Sequence, residues 1–556
     1  MITRLLYTLI IIVFINPFIK AQNTLITGAA PNPSQVEIVS ADSLIGINQP
    51  FMEVRRLMGN VKLRQGTSTM YCNLAILNST TNNLEAFGNV KIVQADTVTI
   101  VGDTAYYFGD SRRAIISGKT TKLDDKTITL TTRKIDYDLN SHLAYYNTGG
   151  KIVDNKSTLL SKEGYYNTVS KIFLAKSRVK ITDKDGGTLD ADSIKYSTLS
   201  KEAYFLAPTK IIQKQDTMYA RAGSKYNTVT KLSNFVGRST AVTKEYDITA
   251  DSLFYDTQTQ IGVAKGNTVF VSKKENVILL GNQGRYNGTT GYTRIFERAL
   301  MKSVSDDNDT LYLAADTLVS FENKAANYKN LFAYKHVLLY KSDFSAKCDS
   351  LSYNTSDSTI FFYQKPILWN SGSQSEADSI NVFLKNNKVN VMNLKGKSFV
   401  ISKDTLSQFN QIKGRKITVN FDLNSKIDKV LVDGNAESIY FAVDQKNTYK
   451  GMNRVECSKM NMFFKKSKVK KIAFIDSPEA KFYPPKDAQG DVKELDGFKW
   501  KEAEKPTLQL LLASSFQVEK NEEQSVEQKT VPILLPKVKI EAQKVQKEKV
   551  ERRKVK

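Results

Sequence analysis

Aspartate is the residue whose placement most invites a chemical reading. It recurs in near-identical phrases: Ala41-Asp42-Ser43-Leu44, Ala191-Asp192-Ser193-Ile194, Ala250-Asp251-Ser252-Leu253, Ala315-Asp316-Thr317-Leu318 and Ala377-Asp378-Ser379-Ile380. Paired carboxylates do general acid–base work and clustered ones hold cations. Catalytic groups, however, do not come in many equivalent copies, one per unit. Asp-Ser and Asp-Thr side chains bond nearby backbone N–H groups, so a structural role at a turn or strand entry is expected. The run Asp306-Asp307-Asn308-Asp309 lacks a calcium-ligand spacing and reads as a solvated loop. The two histidines, His142 and His336, are too few to supply a zinc site. Cys72, Cys348 and Cys457 are too scattered for a disulfide framework. The chain has no G-x-x-x-x-G-K-[ST], no G-x-G-x-x-G and no H-E-x-x-H. No catalytic residue, metal or cofactor is expected.

Those phrases belong to a repeat. Tyr107, Tyr137, Tyr166, Tyr196, Tyr226, Tyr255 and Tyr286 follow one another at gaps of 29 to 31 residues, and Tyr353 follows after two slightly long periods. The skipped position falls near Phe321. A glycine often stands fifteen residues after the aspartate position, as in Gly88 after Asn73, Gly118 after Asp103 and Gly266 after Asp251. Glycine and asparagine tolerate positive φ, which suits a turn or bulge before a strand. A fixed period over most of a chain implies an array whose units pack on their neighbours.

The 26 tyrosines and 27 phenylalanines against two tryptophans favour strands over helices. Thr127-Ile128-Thr129-Leu130-Thr131 and Val179-Lys180-Ile181 alternate strictly. Period two puts Ile128 and Leu130 on one face and the threonines on the other. About 30 residues then fit two or three strands per repeat. The expected fold is all-β, an elongated array of stacked antiparallel strands over residues 36–485. Residues 22–35 read as a flexible lead. Before them, Arg4, the apolar stretch Leu5 to Ile15 and Ile19-Lys20-Ala21 read as a secretory signal, residues 1–21.

Lys and Arg number 80 against 57 Asp and Glu, a formal net charge of +23. That predicts attraction to an anionic partner such as nucleic acid, phospholipid or a phosphorylated glycolipid, the alternative being a plain solvated basic surface. The exported address argues against nucleic acid and for a lipid or glycolipid. Residues 486–556 are rich in Lys, Glu and Gln. They read as a basic, mostly disordered tail that an anionic membrane face would attract. Truncation after Lys486 is therefore expected to leave the array's melting unchanged.

The phrases Glu85-Ala86-Phe87-Gly88-Asn89-Val90-Lys91-Ile92, Gly266-Asn267-Thr268-Val269-Phe270 and Val432-Asp433-Gly434-Asn435-Ala436 resemble the OstA-like (organic solvent tolerance protein A) family. The resemblance runs roughly from Val36 to Tyr483. It implies a β-jellyroll in the periplasm, associated also with the outer membrane, with a groove that shields the acyl chains of lipid A during lipopolysaccharide transport. It also implies partner transport proteins joined by edge-strand pairing. The inward residues expected to touch lipid are Val90, Ile92, Ile128, Leu130, Val179 and Ile181. A structural or adhesive β-solenoid without lipid cargo uses the same apolar alternation and remains the alternative.

Overall fold

The computed structural model describes residues 35–515, apart from short stretches at 50–51, 305–308, 324–327, 387, 424–425, 445–447 and 466–467. The signal, nearly all of the lead and residues 516–556 lie outside the described residues. All that follows belongs to one unit, which ends at Gln517. Among the described residues, thirty-six strands, from Glu37–Ser40 to Glu479–Tyr483, form a single sheet, and every pairing between them is antiparallel. The all-β array holds, with two long strands per repeat where strands are unbroken.

The tyrosine period follows from that geometry. Tyr107 pairs with Ala114, Ala114 with Tyr137, Tyr137 with Ala144, and Ala144 with Tyr166. One row crosses the sheet, with a large ring on every second strand. Small residues on most of the strands between make room for the rings: Ala203, Ser233 and Gly262 continue the pattern. At the skipped position the row passes through Ser320, not Phe321. Phe321 sits one residue on and faces outward, 43% exposed.

The motif glycines stand in mid-strand rather than in turns. Gly88 and Asn89 both have positive φ, 75° and 49°, and the ladder slips between Phe87 and Val90. Gly59-Asn60 and Gly266-Asn267 repeat this arrangement. Two left-handed residues in succession make a bulge that bends the strand sharply. The motif aspartate of the preceding strand fills the space a side chain would need. A Cβ on Gly266 would stand 2.7 Å from the Asp251 carboxylate, and one on Gly59 only 2.2 Å from that of Asp42. Asn267 Nδ2 donates to Asp251 at 2.6 Å and Asn60 to Asp42 at 2.9 Å. The aspartates are structural, as expected, but they serve a corner and not a turn.

The corners fold the sheet over on itself, and the core lies between its two halves. Leu84 and Ile92 stand on opposite sides of one corner, yet line the same residual cavity with Met70 and Tyr107. That cavity is about 20 Å³, room for no more than one water.

The expectation of a disordered tail from residue 486 is corrected for residues 486–515. After Pro484 the chain turns back and crosses the outer face of the sheet in reverse order. Ala488 and Leu495 pack on Phe399, Ile401, Ile439 and Phe441. Two buried glutamines hold the segment as a neighbouring strand would. Gln411 donates to the Lys493 carbonyl at 2.7 Å and accepts from the Leu495 N–H at 2.8 Å. Gln374 does the same for Lys499 and Lys501, each at 2.8 Å. The short helix Leu508–Ser514 then buries Leu511 against Leu300 and Ala314. Arg298 donates to the carbonyls of Ala513, Ser514 and Ser515. The physical reason is apolar burial: Leu495 and Leu511 each contribute about 1.5–3 kcal/mol on leaving water. Truncation after Lys486 should accordingly lower the melting temperature by several degrees in calorimetry. An unchanged transition would mean the segment contributes nothing.

Candidate functional site

The six expected lipid-contact residues all point into the core. Val90, Ile92, Ile128, Leu130, Val179 and Ile181 are 0–3% exposed and belong to one continuous apolar cluster. Ile92 pairs with Ile100, Ile100 with Leu123, and Leu123 with Leu130. Onward from Leu130 the row runs through Ile152 and Leu159 to Ile181. In this conformation the six touch neighbouring core side chains and not an open channel.

What closes this part of the interior is a seam. Turns at the two ends of the folded strands meet and bond across it. Gln65 Nε2 donates to the Gly109 carbonyl at 3.0 Å, and Gln94 Nε2 to that of Leu139 at 2.8 Å. Farther along, ion pairs take over at the same interval. Lys171 meets Asp125 at 2.5 Å, Lys201 meets Asp154 at 2.7 Å, and Lys231 meets Asp183. The side chains of Asp125 and Asp154 are 0% and 3% exposed. Each lysine occupies the last position of its turn with positive φ, 59°, 59° and 62°. The tyrosine row reinforces the seam: the hydroxyls of Tyr107, Tyr137 and Tyr166 donate to Gln65, Gln94 and Asp125. Sequence reading saw the tyrosines but missed these partners. The signal was present, since Gln65, Gln94, Asp125, Asp154, Asp183 and Asp216 also recur about every 30 residues.

Burial raises the pKa of the Asp125 carboxyl, but bonds from Lys171, Tyr166, Thr127 and the Ile128 N–H outweigh it and hold the group below its ordinary value. Asp154 behaves likewise, through Lys201 and the N–H groups of Lys156 and Ser157. At the next position the pattern changes. Gln260 stands where Lys231 stood, Asp216 keeps only a 3.4 Å bond from Tyr255, and burial pushes its carboxyl up.

Beyond that point the interior loosens. Tyr286 reaches Glu245 at 3.3 Å, and Lys329 meets Glu275. From Leu279 onward fifteen apolar residues packed on the core are only partly buried, among them Met301, Leu311, Met392, Ile412, Phe421 and Phe464. Between residues 57 and 270 only Ala191 and Tyr246 are in that state. The array therefore grades from a latched, filled interior to a partly uncovered apolar one. Flexible Met301 and Met392 suit an irregular apolar guest. No group of three His, Cys, Asp or Glu residues able to hold a metal occurs among the described residues. Asp309, the end of the acidic run, meets Lys341 at 3.3 Å and Ser342 at 2.8 Å. No helix among the described residues is long and apolar enough to cross a membrane.

Lys201→Met should cost about 3 kcal/mol, because it leaves Asp154 buried without its cation. Adding Asp154→Asn should recover part of that loss, a coupling that a double-mutant cycle reads. Asp125 and Asp154 have folded pKa values below their unfolded ones. Their stabilisation is present above about pH 4 and is lost as pH falls through the lower folded values. Hydrogen exchange in the strands Ser157–Ser161 and Glu202–Phe205 should rise in the lysine variant and, in the native chain, at low pH. Unchanged exchange would show that the ion pairs do not latch the seam.

Two overlapping segments of the chain, residues 33–187 and 182–251, match the profile of a family described as OstA-like protein. No curated protein matches the chain.

Proposed function

We propose that this chain, whose residues 33–251 match the OstA-like family, is a non-enzymatic carrier or bridge for lipopolysaccharide in the cell envelope. The family has a lipid-transport role in the periplasm and is not an enzyme family. The observation that carries the reading to this chain is the set of only partly buried apolar side chains from Leu279 onward. A purely structural solenoid has no reason to leave fifteen core side chains incompletely covered, since each buried CH₂ contributes about 0.8 kcal/mol. The latched upstream half acts as a stem, and the downstream half is where acyl chains enter. The net charge of +23 favours phosphorylated sugar heads outside.

Edge-strand docking fits the same reading. Ser43–Gln49 pairs only with Met52–Gln65, and Lys468–Ile475 only with Tyr449–Lys465, among the described residues. Unpaired strand edges accept a further strand. Leu44 and Ile45, 53% and 47% exposed, give the first edge an apolar character.

Photo-reactive residues placed at Met301, Met392 and Phe421 should crosslink lipopolysaccharide. The same probe at Leu130 and Ile181 should give at least tenfold less. Equal yields at both sets would dissolve the division into stem and entry. No crosslink anywhere, with a working positive control, would defeat the carrier reading and favour the solenoid without cargo.

A further inference from the structure

The outward face of the sheet changes character where the interior opens. One outward row runs through Gln283, Phe296, Thr317, Tyr334, Ser350 and Tyr363. The row beside it runs through Arg285, Arg294, Val319, Phe332, Ser352 and Phe361. A third, nearer the turns, carries Tyr292, Phe321 and Asn330. Arginine is the one charged residue type within these rows, although the Glu297 and Asp349 carboxylates beside them accept from Gln283 and Ser350 of the first row. Upstream, the row that holds Phe332 also carries rings at Tyr106, Tyr145, Tyr165 and Tyr204, but intersperses them with Glu85, Asp136, Lys195 and Lys225.

The rings stand in an order that burial does not require. Phe332 and Tyr334 are parallel within 10° at 6.0 Å, and Phe361 and Tyr363 within 14° at 6.2 Å. The strand between them presents Ser350 and Ser352. The two ring pairs are therefore about 10 Å apart, two strand spacings. Phe321, Tyr334 and Tyr363 are each more than 40% exposed. The Arg294 guanidinium lies 4.7 Å from the Phe296 ring centre. An open cleft of about 550 Å³, lined in part by Thr289, Thr290, Phe321, Glu322 and Asn330, adjoins the turn end of the same rows.

We propose that this outward face, centred on Phe332, Tyr334, Phe361 and Tyr363, binds a glycan chain of pyranose sugars. Flat exposed rings stack on the C–H faces of sugar rings, as aromatic side chains do on other apolar plates. Serine hydroxyls and asparagine and glutamine amides supply donors and acceptors for sugar hydroxyls. Arg285 and Arg294 attract phosphorylated or acidic sugars at their part of the face. A nucleic acid would call for far more Lys and Arg on the same rows. A bilayer surface would call for aliphatic side chains in place of amides. Cross-strand ring pairing contributes to the sheet here, as Tyr292 with Phe321 and Phe321 with Phe332, while Phe332–Tyr334 and Phe361–Tyr363 stack along their own strands and Tyr334 and Tyr363 stay more than 40% exposed.

Electrophoresis of the full chain through gels containing polysaccharide tests the assignment. The probe is acyl-free polysaccharide released from lipopolysaccharide by mild acid. Retardation is expected, and Tyr334→Ala with Tyr363→Ala should raise the apparent Kd at least tenfold without lowering the melting temperature. Tyr334→Leu with Tyr363→Leu keeps the apolar volume but removes the flat rings, and should lose binding as well. Phe254→Ala, upstream on the row that holds Phe332, should bind as the native chain does. The proposal is overturned if the native chain is not retarded, or if either double variant is retarded as strongly as the native chain. It is also overturned if the substitutions abolish binding to phosphatidylglycerol vesicles while polysaccharide is ignored. The probe carries no acyl chain, so this outcome is independent of what the interior holds.

Discussion

Two residues with positive φ in mid-strand are the constraint on which the rest depends. An antiparallel sheet of 36 strands has two faces, and an open sheet would leave both in water. The two-residue corner, Gly-Asn at Gly59, Gly88, Gly266 and Gly434 and other pairs such as Ser177-Arg178 and Glu297-Arg298 elsewhere, bends the strands that carry it, so one face closes on itself. Gly59, Gly88 and Gly266 have no room for a Cβ, because Asp42, Asn73 and Asp251 already occupy it. Each corner is thus keyed to the strand before it, and the fold line runs straight across the array. The tyrosine row, the filled core and the seam all follow from this line.

Closure needs something at the free ends as well. Buried ion pairs are a costly way to provide it, since both charges leave water. The design here spends three of them in succession and gives every carboxylate further hydrogen-bond donors, so removal of either partner is penalised. Where the series stops at Gln260 and Asp216, the interior begins to lose cover. The change in seam chemistry and the change in core burial fall within a few strands of one another. A latched segment joined to an unlatched one gives the array a direction that a uniform repeat would lack.

Much of this was legible in the sequence. Tyrosine spacing and period-two alternation sufficed for an all-β array, because both reflect strand geometry directly. The Gly-Asn phrase was read as a turn or bulge, and local propensity does not separate the two; the slip between Phe87 and Val90 is visible only in the pairing. Phe321 was one residue off the row, an error that flips a side chain to the other face. Residues 486–515 were missed because their contacts lie from about 50 to more than 200 residues away along the chain. A cue did exist: Val337-Leu338-Leu339-Tyr340 and Ser398-Phe399-Val400-Ile401 break the alternation, as strands covered on both faces do. The six inward residues were correctly set on the core face, but alternation says nothing of whether a core is filled. That depended on tyrosines and lysines about 40 residues away.

Cysteine accessibility tests the central claim most directly. Single cysteines would be placed at inward positions in a chain whose own buried Cys72, Cys348 and Cys457 are replaced by alanine. Maleimide labelling would then be timed at neutral pH in the native state. Ile181→Cys and Leu130→Cys should react at least a hundredfold more slowly than Met392→Cys and Phe421→Cys. Lys201→Met should raise the rate at position 181 and leave that at 392 unchanged. Equal rates along the whole array, in either direction, would contradict an interior latched at one end and uncovered at the other.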